Sequence, residues 1–138
     1  MRRESSLQAA CVQWFRLQHP SLRPLYLSIP NGVPLGTASA AQFIREGLTA
    51  GAADTILLVP ASGYHGLCIE FKIAVDEWHG GRRTTRKTYQ TPEQKRWQEA
   101  VEARGYRYEV VRTFDEFRRL VTDYLMPRRT KTAPELFQ

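Results

Sequence analysis

Three consecutive residues near the middle of the chain, Glu70, Phe71 and Lys72, combine an acid and a base in a form suited to chemistry on a strand. On an extended segment alternate side chains share a face, so Glu70 and Lys72 point one way while Phe71 packs the other. Their neighbours Leu67, Ile69 and Ile73 are apolar, and a charged pair in such surroundings is costly unless it is paired, exposed or used. Taken alone, the pair fits an exposed edge face or a structural ion pair better than a functional pair. Asp54 changes the balance. It opens the preceding apolar run just after Gly51, and the turn-forming stretch Pro60 to Gly66 separates that run from the next. Folded back antiparallel about Gly63, Asp54 stands nine residues before the centre and Glu70 seven after it. A small register offset or a bulge then brings the two carboxylates together. Like charges at that range repel unless a proton or a divalent cation neutralises them, and hard oxygen donors suit Mg²⁺ or Mn²⁺. A metal site is the expectation.

Other chemistry-bearing residues are less suggestive. His19, His65 and His79 are scattered without ligand spacing and read as turn or surface residues. Cys11 and Cys68 sit singly in apolar stretches, match no zinc pattern, and are expected as buried free thiols of a reducing compartment. Trp14 and Trp97 fall on helical core stripes. Trp78, beside His79 and Gly80 in a basic stretch, is placed either to stack on or wedge into DNA, or to cover the core.

The elements that must position these residues follow from periodicity and turn chemistry. Leu7, Ala10, Cys11, Trp14 and Leu17 give a first amphipathic helix, with Ser5 and Gln8 matching a capping box and His19-Pro20 ending it. Leu25 to Ile29 reads as a strand closed by Pro30-Asn31-Gly32, and Thr37 to Gly47 as a short Ala-rich helix with Phe43 and Ile44 facing inward. Asp54 to Val59 and Leu67 to Ile73 form a central hairpin. Residues 74–90 are polar, contain Gly80-Gly81 and lack sustained periodicity, so a long mobile loop is expected there. Thr91, Pro92 and Gln94 supply an N-cap, a first-turn proline and a capping-box partner for a helix whose buried stripe is Trp97, Ala100 and Val101. Tyr106 to Arg112 alternates as a strand, and Thr113 with Glu116 caps a last helix ended by Pro127. The order α-β-α-β-β-α-β-α describes an α/β fold, a mixed sheet flanked by helices.

The 138 residues, 42% of them hydrophobic, suffice for one core and not for two. Residues 1–126 are expected as the folded domain and 127–138 as a basic, poorly ordered tail. No apolar run is long enough to span a bilayer and the start is polar, so a soluble, cytoplasmic protein is expected. Twenty Lys and Arg against fourteen Asp and Glu give a net charge of +6, which favours a polyanionic partner. Arg82, Arg83, Arg86 and Lys87 form one basic group and Arg128, Arg129 and Lys131 another. Each reads either as a solvated surface or as a phosphate contact.

In order along the chain, Glu4, Ile29-Pro30-Asn31-Gly32, Gly47 with Gly51-Ala52-Ala53-Asp54, His65-Gly66 leading into Glu70-Phe71-Lys72, and Thr91 to Gln94 together resemble the VRR-NUC group of PD-(D/E)xK nucleases. The resemblance covers about residues 4–125. It departs from the family in Ala53, where a proline is usual, and in a longer 74–90 segment. It implies a restriction-endonuclease-like mixed central sheet. It assigns Asp54, Glu70 and the Phe71 carbonyl as ligands of Mg²⁺ or Mn²⁺, with Glu4 completing the site on metal or through water. Lys72 is implied to orient or deprotonate the attacking water, and Gln94 to hydrogen-bond across the site, although a capping role alone explains Gln94 as well. Asn31 is implied to contact DNA or brace the site, and a plain Asn-Gly turn accounts for it too. The activity implied is metal-dependent, structure-selective DNA endonuclease action, foremost on branched DNA such as four-way (Holliday) junctions, by a homodimer of bacterial or phage origin. A catalytically inactive DNA-binding module on the same fold and a flap-directed or non-specific nuclease are the alternatives.

Overall fold

The computed structural model describes residues 3–30 and 36–126. Helix α1 (Arg3–Gln18) leads through a 3₁₀ segment (Pro20–Leu25) into strand β1 (Tyr26–Ser28). Helix α2 (Thr37–Arg45), strands β2 (Thr55–Leu57) and β3 (Leu67–Phe71), and a hairpin of β4 (Ala74–His79) and β5 (Arg82–Lys87) follow. Helix α3 (Pro92–Glu102), strand β6 (Arg107–Val111) and helix α4 (Phe114–Leu125) complete the described chain. The main sheet has the order β1-β2-β3-β6, antiparallel except for the parallel β3–β6 pair. The expected mixed α/β order is present, with one hairpin added.

Strand β3 is central, which excludes the exposed-edge reading of Glu70. All five of its residues are buried, and alternation splits them between two layers. Leu67, Ile69 and Phe71 join Cys11 and Phe15 of α1 and Phe117, Val121 and Tyr124 of α4 in one cluster. On the opposite face Cys68 packs with Ala53 and Tyr108 under Trp97 and Val101 of α3. Glu70 and Lys72 continue that second face beyond its apolar end. Cys11 and Cys68 are buried and free, and burial pushes their thiols up to about 12 and about 11. No helix among the described residues is long and apolar enough to cross a membrane.

The segment 74–90 is a hairpin rather than a loop. Gly80 and Gly81 both have positive φ, 58° and 80°, the conformation a two-residue type I′ turn requires. His79 pairs with Arg82 across the turn, and the pairing continues to Ala74 with Lys87. Ion pairs Arg83–Asp76 (3.1 Å) and Arg86–Glu77 (2.6 Å) join the strands. Both faces are polar, so no apolar alternation marks these strands in the sequence.

Three smaller expectations also differ. Helix α1 is already running at Arg3, so Ser5 lies within it and does not cap its start. Phe43 and Ile44 are 47% and 62% exposed, because α2 contributes to neither core cluster. Ala100 is exposed, leaving Trp97 and Val101 as the half-buried contacts of α3.

Candidate active site

The β2–β3 hairpin sets the two central carboxylates opposite one another. Thr55 pairs with Ile69 and Leu57 with Leu67, and the same register continued by one residue places Asp54 across from Glu70. The turn itself pairs Ala61 with Tyr64. Three residues (58–60) therefore separate turn from paired strand on one side and two (65 and 66) on the other. That one-residue irregularity is the offset the sequence required. Asp54 is fixed from both sides: its carbonyl accepts from Ile29 N–H at 2.7 Å, and its Oδ2 accepts from Phe71 N–H at 2.7 Å.

Glu70 is 3% exposed. Its Oε1 accepts a 2.8 Å hydrogen bond from Gln94 Nε2, and Lys72 Nζ lies 4.0 Å from the same oxygen. Its Oε2 is buried without a hydrogen-bond partner. The Asp54 carboxylate interacts with the Glu70 side chain and raises its pKa, and since carboxylate oxygens only accept, the two can be joined only through a proton or a cation. Burial first, and then the charge of Asp54, push Glu70 up to about 8; Lys72 pulls the other way and Glu4 adds to the rise. Asp54 is raised as well, by burial, against the Phe71 N–H and Lys72. At neutral pH, Glu70 therefore holds a proton. A desolvated carboxyl with one unpartnered oxygen beside a second carboxylate is the environment in which a cation replaces a proton.

Gln94 has both functions that the sequence left open. Thr91 N–H donates to Gln94 Oε1 at 2.9 Å and Gln94 N–H to Thr91 Oγ1 at 3.2 Å, a complete capping box. Because Oε1 is committed to Thr91, the amide must present Nε2 to Glu70, which fixes its orientation. Gly51 lets the chain before Asp54 approach this helix end. Its φ is +85°, and a Cβ there would stand 2.5 Å from the Glu93 carbonyl carbon and 2.8 Å from Gln94 N. The glycine three residues before the aspartate is thus a packing requirement between β2 and α3. Ala53, fully buried against Cys68 and Tyr108, fills the position where the family pattern has proline.

The remaining site residues distribute as follows. Glu4 is half-buried in the first turn of α1 and close enough to act electrostatically on Glu70. Phe71 packs its ring into the α1–α4 cluster while its main chain faces Asp54. Asn31 lies outside the described residues, as does the basic tail. Arg82, Arg83, Arg86 and Lys87 are exposed on β5, with Arg83 and Arg86 paired to acids of β4. Two contributors escaped the sequence reading. Tyr108 of β6 accepts from Gln90 Nε2 at 3.2 Å, and its hydroxyl is raised by burial and by the nearby Glu70 and Asp54. Asp76 ties the hairpin to α1 beside Glu4, through Arg3 at 2.9 Å. A strand pattern in 106–112 pointed to Tyr108, whereas the Arg3–Asp76 contact has no local signal. Among the described residues no three His, Cys, Asp or Glu side chains converge as a cation cage; the facing carboxyls are the Asp54–Glu70 pair.

The chain is similar to a solved structure described as a "VRR_NUC domain protein", with a TM-score of 0.69 and 26% sequence identity over 91% of this chain and 89% of that one. No family model and no curated protein matches the sequence. The fold is a mixed α/β domain of the kind found in that neighbour, and the carboxylate strand pair lies within it. Within that class, the likeness is to the VRR-NUC domain.

Proposed function

We propose that this protein is a metal-dependent, structure-selective endonuclease that hydrolyses phosphodiester bonds in branched DNA, a four-way junction foremost. The observation that carries the reading is the buried Glu70 oxygen without a partner, facing Asp54 and flanked by Lys72 on a VRR-NUC fold. Asp54 and Glu70 would hold Mg²⁺ or Mn²⁺, with the Phe71 carbonyl as a further donor and Glu4 closing the set directly or through water. Bound there, the cation supplies Lewis acidity, making water a competent nucleophile and stabilising charge at the phosphate.

The protein residues do the rest. Lys72, 4.0 Å from Glu70 and largely buried, is placed to orient the attacking water or take its proton, and to offset charge building on the phosphate. Gln94 holds Glu70 in one rotamer from a helix end that is itself fixed by the capping box. In-line attack by water needs no covalent intermediate with the protein. Arg82, Arg83, Arg86, Lys87 and Asn31 would hold the DNA backbone, and 127–138 adds three further basic residues beyond the 1–126 catalytic unit. Binding through such contacts weakens with salt and reads little sequence. Cutting two strands symmetrically at a junction requires two sites related by a two-fold axis, hence a homodimer. The exposed apolar pair Phe43 and Ile44 on α2 supports a second copy. A bacterial or phage-infected cytoplasm fits this activity.

The test is incubation of the protein with junction, flap, linear duplex and single-stranded DNA, with Mg²⁺, with Mn²⁺ and with chelator, beside Glu70→Ala. Cation-dependent cutting of the junction that is lost in the variant supports the reading. Cutting that survives chelation or the substitution removes it, and tight binding without cutting makes the chain a DNA-binding module.

A further inference from the structure

The β4–β5 hairpin carries a feature that phosphate binding leaves unused. Trp78 and Tyr89, each 69% exposed, are the two most exposed aromatic residues among those described, and both belong to the segment 74–90. Between them in sequence lie Arg82, Arg83, Arg86 and Lys87, so two flat apolar rings bracket a run of cationic groups. Trp78 stands directly across the ladder from Arg83 and shares its face with it. The Arg83 guanidinium is held by Asp76, at 3.1 Å, and Asp76 also binds Arg3 beside Glu4.

The arm is anchored next to the carboxylates. It begins two residues after Lys72, and Thr88 at its far end donates from N–H (3.0 Å) and Oγ1 (2.8 Å) to the Ile73 carbonyl. Arg112 in turn donates to the Thr88 carbonyl at 2.8 Å, and its guanidinium stacks 5.2 Å from the Tyr89 ring centre. At ~3.3 Å per residue, the six residues of β4 reach about 20 Å from the end of the catalytic strand, the length of several stacked nucleotides. Aromatic faces set beside positive charge form the surface on which unpaired bases stack while their phosphates are neutralised.

We propose that the β4–β5 hairpin is a stacking arm that binds unpaired bases of DNA next to the duplex to be cut, with Trp78 as the principal platform. This rests on the nuclease reading and deepens it: among branched DNAs, those that expose unpaired bases at or beside the branch point, as an opened junction centre does, are held best. Trp78 lies on the hairpin and not among the residues assigned to the cation, so its effect is on which DNA is held.

The experiment measures affinity by fluorescence anisotropy in chelator, where DNA stays intact, for blunt duplex and for the same duplex with a single-stranded branch. Wild type, Trp78→Ala and Trp78→Phe are compared. Wild type is expected to prefer the branched ligand, Trp78→Ala to lose at least about fivefold of that preference, and Trp78→Phe to recover most of it. Quenching of tryptophan emission by the branched ligand should disappear in Trp78→Ala. An unchanged preference in Trp78→Ala, an equal loss on both ligands, or no binding by wild type overturns the proposal. So does conversion of a dimer to a monomer by Trp78→Ala, which makes the ring a protein contact. Failure of the nuclease reading registers separately, as wild-type protein that binds DNA and does not cut it when cation is supplied.

Discussion

Replacing Glu70 by glutamine is expected to stabilise the cation-free protein at alkaline pH while abolishing cleavage. An ordinary glutamate titrates near 4.5, whereas burial and the neighbouring Asp54 charge push Glu70 up to about 8. Between those values the native chain holds a proton that the unfolded chain has released, so native stability falls as pH rises. The protonated carboxyl's contribution is fully present below about pH 4.5 and gone above about pH 8. At ~1.36 kcal/mol per pKa unit the ceiling is about 4–5 kcal/mol, of which about 2–4 kcal/mol should survive local relaxation. Glutamine mimics the protonated acid and still accepts from Gln94 Nε2, so it avoids the loss. Thermal melts in chelator should show wild type and Glu70→Gln nearly equal at pH 5, and the variant higher by about 10 °C at pH 9. Saturating Mg²⁺ should close most of that gap by stabilising wild type alone. Equal melting at pH 9, or a variant less stable throughout, would refute the picture of a buried carboxyl awaiting a cation.

Gly51→Ala should cost about 2–4 kcal/mol in a denaturant melt, because a β-carbon at positive φ collides with the first turn of α3; a neutral result means that α3 shifts freely. Gln94→Ala should lower stability by about 1–2 kcal/mol through half of the capping box and reduce cleavage by slackening Glu70, while Thr91→Ala, measured alongside, should reproduce mainly the stability loss. Lys72→Ala should reduce the rate of cleavage at least about 100-fold with DNA affinity little changed, as followed by single-turnover kinetics. A rate within threefold of wild type would remove Lys72 from the chemistry.

Much of the site was legible because its determinants are local. Strand alternation placed Glu70 and Lys72 together and turned Phe71 into the core, and Thr91-Pro92-x-Gln94 announced a helix start whose capping atoms the structure confirms. Even the need for a register offset between Asp54 and Glu70 followed from counting around the turn, although its location between residues 58 and 66 did not. The β4–β5 ribbon was missed because both faces are polar, and it is specified by Gly80-Gly81 and by cross-strand ion pairs instead of an apolar stripe. Periodicity showed that Phe43 and Ile44 share a helix face, but not that among the described residues no core element covers it. Gly51 and Asp76 act on partners remote in the chain, Glu93 and Arg3, which no window of sequence connects.

Whether Asp54 and Glu70 form one cation site is tested directly by calorimetric titration of Mn²⁺ at pH 7 in buffers of different ionisation enthalpy. Wild type is predicted to bind cation with release of close to one proton, the one held by Glu70, while Glu70→Gln and Asp54→Asn each lose binding by at least about tenfold. Binding that is undiminished in both variants, or binding by wild type without proton release, would contradict the shared site.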